Sequence, residues 1–311
     1  MINFRFHLVS LVAVFLALAV GIVMGYGVLG QPTIEGLQNR IDTVEANANA
    51  QRAENGALTT ELDRVEGAID ESAPFAVTGR LTDVPAVFVA IRGVDADSTE
   101  RVVRLARTAG GDVPGIVWLE ARLALPTRDD ALALASLLRL PSNTKASDLR
   151  DAVWRVLAAR LAAGAPVSSG NQTEDPLGAL VAAGFVSLEG VDEDTPAVAD
   201  ISATDVVLAV ARGASLGARG TVEGFAIAAV EQRLALVVAL VESGEADRDE
   251  VLAPVRDNDS LGTQVATVDN LESEVGAIAT VLALADLGHG VVGHYGVGSG
   301  ADRLLPVWNQ P

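Results

Sequence analysis

The chain opens with a long run of apolar residues. Leu8 to Gly30 carries no charged side chain, Arg5 precedes the run, and acidic residues follow it. At about 1.5 Å per residue, a helix of this length crosses the roughly 30 Å hydrocarbon core of a bilayer. We therefore predict a stub at 1–7, placed in the cytoplasm by the positive-inside rule, and a transmembrane helix at 8–30. The alternative is a cleaved signal peptide, but the run is longer than a usual signal-peptide core and no A-x-A site closes it.

Beyond this anchor, apolar residues recur at alternating steps of three and four. The positions are Ile34, Leu37, Ile41, Val44, Ala48, Gln51, Asn55, Leu58, Leu62, Val65 and Ile69. This is the a/d pattern of a coiled coil, and Asn55 falls at an a position, where a buried Asn fixes register in parallel dimers. We predict a coiled-coil stalk at 31–73, ended by Pro74, in a parallel homodimer rather than a trimer. The alternative is an amphipathic helix that packs on its own globular domain.

Glycines within the anchor and at its end bear on the same helix pairing between two copies. Gly21 and Gly25 form a G-x-x-x-G, a spacing that lets two membrane helices approach closely, although small residues are common in all membrane helices. Gly27, Gly30 and Pro32 predict a joint between the anchor and the stalk.

From Leu81 onward, short β-branched runs alternate with helical patterns. The runs are Ala86–Arg92, Gly115–Glu120, Phe185–Gly190, Val206–Arg212, Leu234–Val241 and Gln264–Asp269. Each run is continuously apolar rather than alternating, which is typical of strands buried on both faces of a sheet.

Seven amphipathic segments separate or follow these strands. They are Ser98–Ala109, Arg128–Leu140, Ser147–Ala163, Pro176–Ala183, Thr221–Arg233, Arg248–Arg256 and Ser273–Asp286. The order of strands and helices predicts an α/β fold with a doubly wound, mostly parallel sheet, in an extracytoplasmic domain at 81–311. The helices within Arg128–Ala163 exceed what one crossover needs and indicate an insertion, and Gly164–Asp175 is expected to be a polar, mobile loop.

Composition narrows the function. The 311 residues carry a formal net charge of −19, and Lys145 is the single lysine. Nucleic-acid binding is not expected, because it needs concentrated basic residues. The absence of cysteine excludes disulfides, thiol catalysis and cysteine metal sites.

Polar residues at the carboxyl ends of the predicted strands are the first place to look for a ligand site. They are Arg92–Asp95, Glu120, Arg212–Gly213, Glu242–Gly244 and Asp269–Asn270. No nucleophile elbow, Walker A loop or H-E-x-x-H motif accompanies them, so we expect ordinary loop residues and no catalytic site. Gly288–Gly293 matches G-x-G-x-x-G, but it follows a helix rather than a strand, so we interpret it as part of a Gly-rich loop on the domain surface.

His289 and His294 lie within that Gly-rich loop. Two imidazoles on one segment are candidate ligands for Cu(II) or Zn(II), although a pair without carboxylate or thiolate partners is usually not a metal site. No other cofactor is indicated.

Both ends of the chain resemble one family. The start INFRFHLVSLVAVFLALAVGIVMG, the stretch VATVDNLESEVGAIATVLALAD and the ending GHYGVGSGADRLLP are similar to the actinobacterial MctB-type copper transport proteins. The specific matches are Thr267-Val268-Asp269, the helix Ser273–Asp286, and Tyr295-Gly296 with Gly300-Ala301. The resemblance implies an envelope protein, possible in the outer membrane, that acts in copper transport or tolerance.

Two other functions stay open. The resemblance also implies a non-enzymatic scaffold that works through its coiled coil with a membrane or cell-wall partner in septum control. An envelope enzyme with a degenerate α/β hydrolase-like or amidotransferase-like fold is the third hypothesis, and the missing nucleophile–base pair counts against it.

Overall fold

The computed structural model describes residues 4–28, 31–164, 175–190, 196–214, 216–241 and 248–307. Most of the predicted Gly164–Asp175 loop, the strand end Glu242–Gly244, and Gly30 of the predicted joint lie outside the described residues. The chain divides into two compact units, at 1–67 and at Ala68–Pro311.

The first unit begins with the apolar helix α1, Phe4–Val28. Its segment Arg5–Gly25 is, among the described residues, the single helix long and apolar enough to cross a membrane by length and composition. The predicted apolar N-terminal helix is therefore confirmed.

A second helix, α2, runs from Gln31 to Val77 over 47 residues, which is about 70 Å at 1.5 Å per residue. Pro74 lies inside this helix, so the expectation that Pro74 ends it is wrong. Proline removes a backbone donor and disfavours a helix. Here the last turn persists because Ala73 and Val77 are buried in the core of the second unit.

The second unit is built on one sheet of seven strands among the described residues. The strands are β1 Ala86–Ile91, β2 Gly115–Leu119, β3 Val186–Gly190, β4 Asp205–Ala211, β5 Ala235–Val241, β6 Val265–Val268 and β7 His294–Tyr295. Their order is β3-β2-β1-β4-β5-β6-β7, and every pair is parallel except β2 with β3. The predicted α/β class and mostly parallel sheet are confirmed, and all six predicted runs form strands.

Seven further helices surround the sheet in the described part of the chain. They are α3 Ala96–Thr108, α4 Arg128–Leu137, α5 Ala146–Ala163, α6 Pro176–Ala182, α7 Ala218–Glu231, α8 Arg248–Arg256 and α9 Glu274–Gly288, with 3₁₀ turns at Ala121–Ala124 and Val198–Asp200. Helices α3 and α9 contact each other, whereas α7 contacts both α5 and α8. Because α9 and α7 both cover β4 and β5, the two groups form layers on opposite faces.

Sequence explains where several helices begin. The side chains of Asp95, Thr127, Asp175 and Ser273 each accept a hydrogen bond from a backbone N–H in the first turn of the helix that follows. Such N-caps satisfy donors that have no partner within the helix. The strands between the two layers are fully buried, as β1 and β4 are throughout, which is the reason that they read as unbroken apolar runs.

The Gly-rich segment differs from the expectation of a surface loop. Within it, β7 pairs with β6 in parallel, with Thr267 opposite His294 and Val268 opposite Tyr295. Tyr295 is 4% exposed. The segment therefore contains an edge strand of the sheet. This strand is held by backbone pairing with β6, and no apolar run in the sequence marks it.

Candidate functional sites

The most completely bonded polar cluster lies at the carboxyl end of β6, and we call it the C-terminal clasp: Arg256, Thr267, Asp269 and the backbone of 295–299. Asp269 is completely buried. Its carboxylate accepts hydrogen bonds from Arg256 Nη1 at 3.0 Å, from the Val297 N–H at 2.8 Å and from the Gly298 N–H at 3.1 Å. A buried charge is tolerated when it is paired and hydrogen-bonded in this way.

Arg256, at the end of α8, supplies the positive charge of the clasp. Its guanidinium donates to Thr267 Oγ1 at 2.8 Å, to the Tyr295 carbonyl at 3.1 Å and to the Ser299 carbonyl at 2.9 Å. The side chain is 4% exposed. Arg256 therefore links α8, β6 and the C-terminal segment. These hydrogen-bond donors are directed at protein atoms rather than at a ligand.

Gly296 is needed for this closure. Its φ is +130°, and a Cβ at this position would lie 2.0 Å from Asp269 Oδ1. Only glycine allows the backbone of the Tyr295-Gly296 step to approach the carboxylate this closely. Gly296 thus serves the clasp.

The two candidate metal ligands, His289 and His294, have different surroundings. His294 Nδ1 lies 3.0 Å from Thr267 Oγ1, and burial, with Arg256 nearby, lowers the pKa of this imidazole. His289 is exposed at the end of α9, and its Nδ1 lies 2.9 Å from the Ala285 carbonyl. In the described ranges, no group of three or more His, Asp or Glu side chains is placed to hold a metal ion. Their role in metal binding stays a prediction.

A second polar cluster joins the ends of β1 and β2. Arg92 Nη2 lies 2.7 Å from Glu120 Oε1, and Ser187 Oγ donates to the same oxygen at 2.6 Å. The Arg92 hydrogen bond lowers the pKa of Glu120, which makes this carboxylate a poor general base for Ser187. The Arg92 guanidinium stacks 4.3 Å from the ring of Trp118. The structure therefore brings two of the predicted strand-end residues together as an ion pair.

The other strand-end residues do different things. Asp95 caps its own helix, accepting from Ser98 N at 2.9 Å and Ser98 Oγ at 2.7 Å. Arg212 and Gly213 line a groove beside α7. Asn270 Nδ2 donates to Ser273 Oγ at 3.0 Å, which ties this strand end to the cap of α9.

The heptad positions of α2 present an uncovered apolar stripe, and we call it the seam. Leu37, Ile41, Val44, Leu58 and Leu62 are between 57% and 67% exposed, and Val65 is 47% exposed. Asn55 is exposed within the stripe, and the side chain of Ile34 lies outside the described residues. Ile69, the last seam position, packs against the core of the second unit.

Gly21 and Gly25 lie on α1 with open space around them. A Cβ at either position would meet nothing within 4 Å in a single chain. Their place in a helix pair stays a prediction.

Fold and sites together define a protein class: an α/β domain with a doubly wound sheet, preceded by a long helix and an apolar helix that fits single-pass membrane anchoring. The family model described as "Copper transport outer membrane protein, MctB" matches residues 1–306. The chain belongs to this family, which confirms the resemblance carried by its two ends.

Relatives match along nearly their whole length. The copper transporter MctB of Mycobacterium tuberculosis (strain ATCC 25618 / H37Rv) is 28% identical over 311 residues, covering 97% of this chain and 98% of the relative. The copper transporter MctB of Mycobacterium leprae (strain TN) is 25% identical over 318 residues, covering 98% and 99%. The family is thus named for copper transport rather than for an enzymatic activity.

Proposed function

We propose that this protein takes part in copper export or copper tolerance as a single-anchor membrane protein of the cell envelope, with its N-terminus in the cytoplasm. The observation that carries the proposal is the family match over residues 1–306, with relatives named copper transporters. The apolar helix Arg5–Gly25 supports the anchor. Arg5 before that helix supports the orientation.

The anchor limits how copper could cross a membrane through this chain. Among the residues from Leu8 to Gly30, the polar side chains are Ser10 and Tyr26. A conducting path needs polar groups at membrane depth, or a closed assembly of several helices. Transport through this protein therefore requires several copies or a second membrane protein.

The side chains available to bind copper also limit how this chain could handle the metal. Cu(I) prefers thiolate and thioether ligands, but the chain has no cysteine, and Met1 and Met24 lie before and within the anchor. Cu(II) accepts imidazole ligands, and His289 is exposed. Direct copper handling by the second unit would thus use Cu(II) and the C-terminal histidines.

A copper titration tests this proposal. The full chain in detergent micelles is titrated with Cu(I) and Cu(II) separately, against a competing chelator of known affinity. We expect stoichiometric Cu(II) binding that is lost in the His289→Ala, His294→Ala variant and kept in a matched His7→Ala variant. Binding that survives the double change would place the metal elsewhere. Absence of binding with either oxidation state would contradict direct copper handling.

A second candidate function is a non-enzymatic scaffold. It is favoured by the exposed seam, since apolar stripes of this kind are typical of surfaces that bind a second helix. In this proposal two copies form a parallel coiled coil that presents the α/β domains to a membrane or cell-wall protein.

Growth on copper separates the two functions. Deletion of the gene in its host should give copper-sensitive growth, and a variant with Leu58→Glu and Leu62→Glu should restore resistance if the seam is not needed for transport. Restoration by the intact chain but not by the seam variant would tie the copper phenotype to the assembly. Copper resistance unchanged by deletion would contradict the copper function and leave the scaffold.

A further inference from the structure

A groove of about 860 Å³ lies beside α7 on the face of the sheet opposite α3 and α9. Helix α5 borders it on one side, and Glu250 and Val251 of α8 border it on the other. Its lining includes the apolar side chains of Leu216, Trp154 and Ile227. A space of this size accommodates a small organic ligand.

One end of the groove lies at the carboxyl end of β4, a strand that borders the point where the sheet changes direction. The chain leaves β1 for α3 on one face and leaves its neighbour β4 for α7 on the other. In open α/β sheets, ligands bind outside the carboxyl ends of the strands at such a switch point, an analogy of fold and not of function. Arg212 and Gly213, directly after β4, line the groove.

The two helices at the switch point begin differently. On the α3 side, the Asp95 carboxylate already occupies the first turn. On the α7 side, the N-cap is Gly217, which has no side chain to cap the helix, and the first turn contains no acidic residue. An anion is thus disfavoured at α3 and unopposed by a capping carboxylate at α7.

The topology places several of the groove's arginines at this end. Leu161 at the far end of α5 accepts a hydrogen bond from Ala203, just before β4. The first turns of α5, with Ser147 and Arg150, therefore lie at the carboxyl edge of the sheet, where Arg212 and Arg219 also line the groove.

Two of these arginines have no carboxylate partner among the described residues. Arg219 Nη1 donates to the Glu250 carbonyl at 3.2 Å, which holds its side chain against α8, and neither Arg219 nor Arg150 forms an ion pair in the described ranges. Carboxylates of Asp151, Glu223, Glu231 and Glu250 also line the groove. Glu231 lies about 18 Å along α7 from Arg219, at 1.5 Å per residue, so at least one of these charges is remote from the arginine end.

We propose that this groove binds a small organic anion that carries a phosphate or pyrophosphate group. Arg150 and Arg219 hold the anionic group at the carboxyl edge of the sheet, because the planar guanidinium of arginine forms paired hydrogen bonds with phosphate oxygens. The apolar portion of the ligand lies along α7 over Gly220 and Ile227. The groove lining includes neither the clasp residues nor the candidate metal ligands His289 and His294.

The glycines of α7 leave room for that portion. A Cβ at Gly220 would meet nothing within 4 Å, whereas a Cβ at Gly224 would lie 2.5 Å from Trp154 Cδ1. Gly224 therefore lets the indole of Trp154 pack against α7. Because Trp154 is 2% exposed and lines the groove, its fluorescence reports on a ligand there.

The test uses the full chain in detergent micelles, titrated with inorganic pyrophosphate at low ionic strength and followed by calorimetry and tryptophan fluorescence. We expect saturable binding that weakens at least about tenfold for each guanidinium removed in Arg150→Gln and Arg219→Gln. The matched control is Arg104→Gln on α3, an arginine 62% exposed on the opposite face, which should leave binding unchanged.

A second pair of variants guards against loss of fold. Gly220→Gln and Gly220→Glu add side chains of the same size and differ by one negative charge. Gly220→Glu should abolish pyrophosphate binding while Gly220→Gln retains it, since a carboxylate near the first turn of α7 does not destabilise the helix. Absence of saturable binding by the unaltered chain, or equal weakening by Arg104→Gln, would overturn the proposal.

Discussion

Along α2, five apolar side chains of the seam are more than half exposed, whereas at the carboxyl end of β6 a carboxylate and a guanidinium are 0% and 4% exposed. The apolar side chains of the seam have no apolar cover in the described chain, and their exposure to water is unfavourable. The clasp supplies partners within one chain for charges that burial disfavours. The second unit thus pairs its buried charges within one chain, whereas the seam stays exposed in the described chain. A second helix that covers the seam is the proposal tested below.

The largest expected effect comes from charging the seam. Leu58→Glu with Leu62→Glu should dissociate the proposed dimer, because burying each leucine is worth about 1.5–3 kcal/mol and both copies lose two of them. Sedimentation velocity of the full chain in density-matched detergent checks this. The matched control, Ala57→Glu with Thr60→Glu, adds the same charge at heptad positions away from the seam and should stay dimeric.

Disulfide crosslinking of the proposed dimer tests whether its two helices are parallel. The chain has no native cysteine, so Leu58→Cys introduces a single thiol at a seam position. Oxidation should crosslink two copies in a parallel, in-register dimer, and Ala57→Cys should crosslink poorly. A dimer that persists with the charged seam, or that crosslinks equally at both positions, would contradict the coiled coil.

Removing the carboxylate of the clasp should have the next largest effect. Asp269→Ala leaves the buried Arg256 guanidinium without its counter-charge, so we expect a loss of about 3–5 kcal/mol of unfolding free energy. Urea unfolding of the full chain measures it. Glu61→Ala removes a carboxylate from an exposed pair, whose Arg64 and Glu61 side chains are 70% and 60% exposed, and should cost at most about 1 kcal/mol. Equal costs for the two variants would refute the role assigned to the clasp.

The glycine of the clasp gives a smaller, steric effect. Gly296→Ala forces a residue with a Cβ to adopt a φ of +130° against the Asp269 carboxylate, and we expect a loss of about 1–3 kcal/mol. Gly288→Ala is the matched control, because a Cβ there meets nothing within 4 Å at the end of α9. That change should be neutral or slightly stabilising in the same urea unfolding measurement. If both alanines are tolerated, the close approach at Gly296 is not a constraint on the fold.

The sheet could be predicted from sequence because its central strands are buried on both faces. A strand such as β4 then appears as an unbroken apolar run between polar turns. The strand β7 could not be found in this way, since His294 and Tyr295 sit among glycines and owe their conformation to pairing with β6. The helix end predicted at Pro74 is wrong for a related reason. Burial of Ala73 and Val77 outweighs the local preference of proline against helix.

The clasp is harder to predict from sequence than the sheet. Asp269 can be recognised as a polar residue at a strand end, but Arg256 carries no signal in sequence beyond its place near the end of a helix. Its contacts with Thr267 and with the backbone of Tyr295 and Ser299 depend on the packing of α8 against β6. Long-range hydrogen bonds of this kind are set by tertiary structure and not by spacing along the chain.

The smallest expected effect is a pH dependence at the edge of the clasp. Burial lowers the pKa of His294, with a further lowering from Arg256 and an opposing influence from Asp302. In the unfolded chain this imidazole has a pKa of about 6.5, so as pH falls the unfolded state takes up the proton first. The stability contributed by neutral His294 is therefore present above about pH 6.5 and is lost as the pH falls through that value toward the lower folded pKa.

His294→Gln isolates this contribution from those of other groups. Burial raises the pKa of Asp205, Glu274 and Asp286, so these carboxylates shift stability in the opposite direction, gaining as the pH falls. Urea unfolding from about pH 7.5 to about pH 5.5 should show the original chain losing stability relative to His294→Gln. Parallel curves for the two proteins would mean that the imidazole remains free to ionise in the folded state, and thus that β7 does not hold it against Thr267.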